Sequence, residues 1–350
     1  MSISPAATVS GAGYCPFPLT SDAGALGLTR SLIDTALGPV SVRHGRRSAP
    51  TNTATGPEPA IATILLHGAA GSWTTWTPLL AAADTSAPAG QAFSDLIIPD
   101  LPGWGDTPLP DAATGPISVD AVGIESLAAA AAEIAESLGY RRWRVVGHSL
   151  GGFVALELAA ARPRQTVSVA LVSATTFAVI DSARHPLRRF TLLPGFTALL
   201  AVMRALAGWG APAGRFLRGL HRVGLLRPLT APLFSRVRDI HPSVIDAVAV
   251  EARPRSFALA ADRAARYDAE RRWAAIDCPV RCVHGDTDVF VAATDDERML
   301  AVIPHLTITV LGGTGHFAQV ERPDDTLTAL FPAGVAVHGA SGCAAGEQAR

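Results

Sequence analysis

No lysine occurs among the 350 residues, and all 29 basic residues are arginine. A phosphate-gripping P-loop, a pyridoxal enzyme and a Schiff-base aldolase each need a lysine amine, so those chemistries are excluded. The accompanying wealth of alanine, arginine, glycine and proline fits a GC-rich coding sequence. Cysteine is scarce: Cys15, Cys278, Cys282 and Cys343 have no paired metal spacing, and a chain of this length does not need disulfide staples. The four read as reduced thiols of a cytoplasmic protein. Residues Met1–Val9 lack both the basic and the apolar segment of a secretory signal. Net charge is nearly absent, at −1, and offers no global field toward phosphate, which argues against nucleic acid as a partner.

Apolar residues are plentiful. A hydrophobic content of 49% allows one large core plus a substantial insertion. Residues 1–30 are Ser/Ala/Gly/Pro-rich without a period and read as a flexible or loosely packed arm. Two strand-like runs within Ser31–Val42 flank the turn signal Leu37-Gly38-Pro39, and Arg46–Pro59 reads as a polar loop. Ile61–Leu66 has the near-continuous apolar character of a strand buried on both faces, and it empties into His67-Gly68-Ala69-Ala70-Gly71. A helix over Trp76–Ala83, a strand over Asp95–Ile98 and a long alanine-rich helix over Val119–Leu138 follow.

Next come a short strand, Trp143–Val146, and a helix, Phe153–Ala161, with Gly147-His148-Ser149-Leu150-Gly151-Gly152 between them. A serine on so sharp a strand-to-helix turn needs glycines beside it for the backbone to pass, and its hydroxyl is then held out above the sheet. Val167–Ser173 is a further strand. Residues 178–273 hold no convincing strand and read as a helical insertion. The alternation resumes with a strand from Val280, a helix over Asp295–Ile303, a strand over Leu306–Leu311 and a helix after Pro323; 333–350 reads as a disordered tail. The expected fold class is therefore α/β, a mostly parallel sheet covered by helices, with ligands at the carboxyl ends of the strands.

A serine hydroxyl is inert at neutral pH unless a base takes its proton, and the base needs a third group to fix its tautomer. His316 follows a strand in a Gly-flanked loop and Asp288 follows the strand before it, an order Ser, Asp, His expected on this topology. Asp286 and the more distant Asp181 are alternatives for the acid. His148 reads as structural, because neighbouring side chains on a tight turn diverge. His67 and His284 read as loop anchors, and Asp100 as shaping a turn. His284, Asp286 and Asp288 show no third fixed ligand, so no metal is expected.

Five motifs in this order make the chain resemble a capped, serine-nucleophile α/β-hydrolase across roughly residues 31 to 332. They are His67-Gly68 with its small-residue loop, Asp100-Leu101-Pro102-Gly103-Trp104-Gly105, Gly147 to Gly152, Gly285-Asp286-Thr287-Asp288, and Gly315-His316-Phe317 leading to Glu321-Arg322-Pro323. The resemblance implies a core of 31–177 and 274–332 with a helical cap over 178–273. It implies Ser149 as nucleophile, His316 as general base and then acid, and Asp288, three after the glycine, as orienting carboxylate. The backbone N–H groups of Ala69 and Leu150 would form the oxyanion hole; Leu150 opens a helix, where free donors point outward. Relatives that open epoxides or displace halide carry aspartate at the elbow, so Ser149 implies acyl chemistry.

The implied activity is cofactor-independent cleavage of a carboxylic ester or related acyl compound through an acyl-enzyme. An acyltransferase or a diketone C–C hydrolase on the same triad, or a non-catalytic receptor on the scaffold, are the alternatives. The substrate is expected to be a small, hydrophobic or amphiphilic acyl compound, because Phe190–Gly210 is apolar nearly all round, while Pro194 and Arg204 within it argue against a membrane span. Arg215, Arg218 and Arg222 share one face of an amphipathic segment. Residues 181 to 272 hold 16 arginines against 7 acidic residues. The excess fits either solvated helix faces or peripheral contact of the cap with anionic membrane.

Overall fold

The computed structural model describes residues 3–7, 13–48, 52–53, 56–57, 60–85, 93–111, 116–185 and 192–332. Its strands are β1 (Ile3–Ala7), β2 (Leu28–Thr35), β3 (Gly38–Gly45), β4 (Asn52–Thr53), β5 (Gly56–Pro57), β6 (Ile61–Leu66), β7 (Leu96–Pro99), β8 (Arg142–His148), β9 (Thr166–Val172), β10 (Val280–Gly285) and β11 (Leu306–Leu311). Nine of them form one sheet in the order β1-β11-β10-β9-β8-β6-β7-β3-β2, while β4 and β5 make a separate minimal hairpin. The sheet is parallel except where β3 runs against β7 and β2 against β3.

The central strands are apolar on both sides because helices cover both sides. Ile64, Val145 and Val169 face one cluster, built with α2 (Ile124–Ser137) and α3 (Leu150–Ala161). Leu65, Val146, Ala170 and Val283 face the other, built with α1 (Thr77–Thr85) and the C-terminal Leu327 and Leu330. Register aligns the strand ends: Leu66 pairs with Gly147, His148 with Val172, and Gly285 with Leu311. The loops after β6, β8, β10 and β11 therefore open along one rim.

Between β9 and β10 the described residues form helices and no strand. These are α4 (Phe177–Arg184), α5 (Pro194–Trp209), α6 (Ala211–Arg222), α7 (Leu226–Leu229), α8 (Pro242–Glu251), α9 (Pro254–Ala264) and α10 (Ala269–Trp273). Among these residues no helix is long and apolar enough to cross a membrane. The remaining helices are α11 (Ala293–Val302), α12 (Ala318–Glu321) and α13 (Pro323–Leu330).

Three sequence expectations need correcting. Residues 1–30 are not a free arm where they are described. Strand β1 pairs in parallel with β11, and Cys15 is buried, its N–H donating to the Glu321 carbonyl at 2.8 Å. Farther on, Leu19 N–H donates to Ser243 Oγ and Thr20 N–H to Thr77 Oγ1. The arm is held by long-range partners that no local pattern announces. The alanine-rich helix does not run unbroken from Val119: a short 3₁₀ turn, Val119–Ala121, precedes α2, and Gly123 stands at the N-cap in extended backbone. The stretch Arg46–Pro59, expected as loop throughout, contains β4 and β5. Cys15, Cys278 and Cys282 are unpaired thiols. The expected tail 333–350, with Cys343, lies outside the described residues, as does Phe190 at the head of the apolar segment.

Candidate active site

Strand β8 ends at His148 and α3 starts at Leu150, so Ser149 alone makes the turn. Its backbone stands at φ 52 and ψ −118, where a side chain costs about 1–2 kcal/mol. The turn is too tight for larger neighbours: a Cβ on Gly147 would lie 2.3 Å from the Gly151 carbonyl oxygen, and one on Gly151 would lie 2.0 Å from that of Leu66. Gly152 is closed in by Ala174, 2.6 Å from where its Cβ would stand. The three glycines let α3 start directly against β6 and the end of β9.

The loops after β10 and β11 bring Asp288 and His316 together. Both are buried, and the two Asp288 carboxylate oxygens each lie 3.0 Å from His316 Nδ1. With Nδ1–H donated to Asp288, the lone pair on Nε2 is left for a proton acceptor's role. Burial alone would raise the Asp288 carboxyl; the His316 imidazole and the Phe290 N–H at 2.9 Å outweigh it and hold the group below its ordinary value. The His316 ring is packed edge-on by Phe290, with centroids 4.4 Å apart, and the backbone N–H of His316 donates to the Leu233 carbonyl at 2.9 Å.

His148 joins the two halves of the site. Its Nε2–H donates to the His316 carbonyl at 3.0 Å and the two rings lie 4.9 Å apart. Burial, then the neighbouring His316, pushes its pKa down to about 3, so it is neutral. Ser149 Oγ makes no hydrogen bond among the described residues, so the Asp288–His316 link is formed while a Ser149–His316 link is not.

The loop after β6 lies against the elbow: a Cβ on Gly68 would come within 2.9 Å of Ser149 Cβ. Ala69 and Leu150 follow Gly68 and Ser149, and neither N–H has a backbone acceptor among the described residues. Ala70, at φ 63, turns the loop onward. His67 underpins it, with Nδ1–H donating to Gly68 O at 2.8 Å and Nε2 accepting from Leu101 N–H at 3.0 Å. Asp100 is likewise absorbed in structure, accepting from Trp73 N–H, Asp106 N–H and the Arg43 guanidinium.

The other candidate acids stand apart from His316. Asp286 is exposed and accepts from Thr314 N–H at 3.2 Å, and Asp181 pairs with Arg298 at 2.7 Å. His284 donates to Gly285 O and faces the Asp296 carboxylate at 3.1 Å. Among the described residues no group of His, Cys, Asp and Glu is arranged to hold a metal.

Two carboxylates at the site were missed from sequence. Glu321 is fully buried and accepts from Gly315 N–H at 3.0 Å and Phe317 N–H at 3.2 Å, on either side of His316. It also accepts from Ser235 N–H at 2.9 Å and from Tyr14 OH at 2.6 Å. Burial pushes its pKa up in spite of those donors. The motif Glu321-Arg322-Pro323 signals a special residue but not its partners. Glu251 lines a cleft with Ala70, Gly71, Thr75, Phe317 and Val320, and burial raises its carboxyl too.

Comparison with known proteins agrees with this architecture. A model of the alpha/beta hydrolase family matches residues 63–329. A 2-hydroxy-6-oxononadienedioate/2-hydroxy-6-oxononatrienedioate hydrolase of Pseudomonas putida is 25% identical over 274 residues, 76% of this chain and 85% of that protein. Among solved structures, a membrane phospholipase A described as a bacterial virulence factor superposes with a TM-score of 0.61 at 19% identity, over 87% of this chain and 85% of the other. An esterase from Thermogutta terrifontis superposes with a TM-score of 0.57 at 19% identity, over 86% and 96%. Likeness at this level carries the fold alone.

Proposed function

Because the chain belongs to the alpha/beta hydrolase family, we propose that this hydrolase is a cofactor-independent serine enzyme cleaving a carboxylic ester or related acyl compound. The observation that supports the reading is the Asp288 carboxylate, 3.0 Å from His316 Nδ1, on the rim where Ser149 is held in a strained turn. In the reaction Ser149 Oγ attacks the acyl carbon as His316 Nε2 takes its proton. His316 returns that proton to the leaving alcohol, leaving an acyl-enzyme, and the same base then activates water to release the acid. The N–H groups of Ala69 and Leu150 hold the developing oxyanion, each worth ~10²–10³ in rate.

Residues 178–273 act as the cap of this site in the proposal. Phe290, beside His316, belongs to a cluster with Val179, Leu193, Phe196 and Leu200, which favours a hydrophobic or amphiphilic acyl group.

A second reading has its own support in the dienedioate hydrolase relative: cleavage of a carbon–carbon bond beside a carbonyl on the same triad. Product analysis on ester and diketone substrates separates the two. The experiment that tests the shared chemistry is fluorophosphonate labelling with turnover of graded acyl esters. Ser149→Ala is expected to abolish the label and to lower kcat by ~10⁴–10⁶. Wild-type rates in that variant would assign the chemistry to another group.

A further inference from the structure

Helices α5, α6 and α7 leave an unusual surface between them. Trp209, Phe216, Val223, Leu225 and Leu229 are exposed by 55%, 45%, 68%, 51% and 62%. Soluble surfaces rarely gather such large apolar groups in one short stretch. Trp209 and Phe216 pack edge to face across the α5–α6 junction, centroids 5.5 Å apart, so the aromatic pair is held in place. On α6 the side chains of Ala213 and Leu217 are buried, Phe216 and the C-cap residue Val223 form an apolar shoulder beside them, and Arg215, Arg218 and Arg222 project from the remaining side, all exposed.

The charge is equally one-sided. No Asp or Glu occurs from residue 182 to residue 238. Among the described residues none of the three arginines has an ion-pair partner. The neighbouring basic side chains are engaged, Arg204 with Asp262 and His221 with Asp246.

We propose that this edge docks the protein on an anionic lipid bilayer. Trp209, Phe216, Val223, Leu225 and Leu229 enter the interfacial layer, and Arg215, Arg218 and Arg222 meet lipid phosphates. Exposed apolar side chains flanked by cations, on helices too short to span, are the composition of an interfacial helix, and an aromatic pair is well suited to the headgroup boundary. A second copy of the chain is a poorer occupant, because symmetric pairing would set one arginine row near another with no acidic residue on this stretch to offset them. The membrane partner deepens the proposed function, and its purpose, delivering an acyl chain to Ser149, rests on that reading. Docking itself rests only on the surface.

Trp209 supplies the test. The other five tryptophans, Trp73, Trp76, Trp104, Trp143 and Trp273, are buried at 4% exposure or less, so collisional quenching by iodide reports Trp209. The full chain is mixed with vesicles of phosphatidylcholine alone or with phosphatidylglycerol. The anionic vesicles are expected to bind the protein, blue-shift its emission, shield it from iodide and, when brominated lipid is included, quench it. Trp209→Phe should bind and lose the lipid-dependent signal. The triple variant Arg215→Gln, Arg218→Gln, Arg222→Gln should bind anionic vesicles on the order of a hundredfold more weakly, at about 1 kcal/mol per arginine. Ser149→Ala should bind as the wild type does, so failure of the catalytic reading and failure of docking give different results. Three outcomes overturn the proposal: no preference for anionic vesicles, binding that leaves Trp209 open to iodide, or a dimer in solution that buries Trp209.

Discussion

At Ser149 a side chain occupies backbone angles that only glycine adopts freely, and the hydroxyl is presented to the rim by that same geometry. Ser149→Gly should therefore raise stability by about 1–2 kcal/mol while removing activity, which thermal melts and ester turnover on one preparation would reveal together. A melting temperature below wild type would show that the hydroxyl contributes more to the fold than the turn withholds. His284 gives a second residue-level expectation. Burial lowers its pKa, but the Asp296 carboxylate outweighs burial and the net shift is upward from 6.5. A histidine that binds its proton more tightly when folded stabilises the protein fully below its ordinary pKa, and that contribution disappears as pH rises through the raised value. The melting-temperature gap between wild type and Asp296→Asn should be widest in mildly acid buffer and shrink in alkaline buffer; a gap that widens with pH would reverse the sign. Much of the candidate site was legible at this scale. Ser149, Asp288 and His316 each follow an apolar strand and stand near glycine, which is a local pattern. Phe290 against His316 was not legible, because nothing in Asp288-Val289-Phe290 states which ring it will meet.

Elements meet at this site through missing side chains. The start of α3 touches the end of β6 at Gly151, where an added methyl would lie 2.0 Å from a carbonyl oxygen. Gly219, inside α6, has nothing within 4 Å of the same position. The pair makes an opposed prediction: Gly151→Ala should destabilise by at least about 3 kcal/mol, and Gly219→Ala should stabilise by about 0.4–1 kcal/mol. Urea unfolding of both variants checks it, and equal effects would mean that close backbone approach does not position the elbow. The sequence pattern located most of these elements to within a few residues, since period and punctuation are local. It missed the break at Gly123, where a capping geometry rather than a composition change divides the segment, and it missed β1, whose Ile-Ser-Pro-Ala-Ala carries little strand character and depends on β11 for its place.

Across the whole molecule, Glu321 ties together parts of the chain that lie far apart: Tyr14 near one end, Ser235 among the inserted helices, and the two residues flanking His316. Glu321→Gln keeps the shape but surrenders part of this acceptor set. It should lower stability by about 1–3 kcal/mol and, by letting His316 drift, lower kcat by roughly tenfold to a hundredfold with little change in KM. A loss carried by KM would place Glu321 in substrate binding instead. Tyr14 is itself gripped by Arg236 and Arg322, whose guanidinium carbons lie 4.0 and 5.5 Å from its ring centroid. The pairing of β1 with β11 has a consequence for synthesis. During translation β1 must wait, unpaired, for β11, and Asp288, His316 and Glu321 emerge well after the elbow. A ribosome-stalled chain ending before Leu306 should hold the elbow yet fail to react with fluorophosphonate; on the proposed chemistry the newborn polypeptide becomes reactive only once β11 and His316 have cleared the exit tunnel.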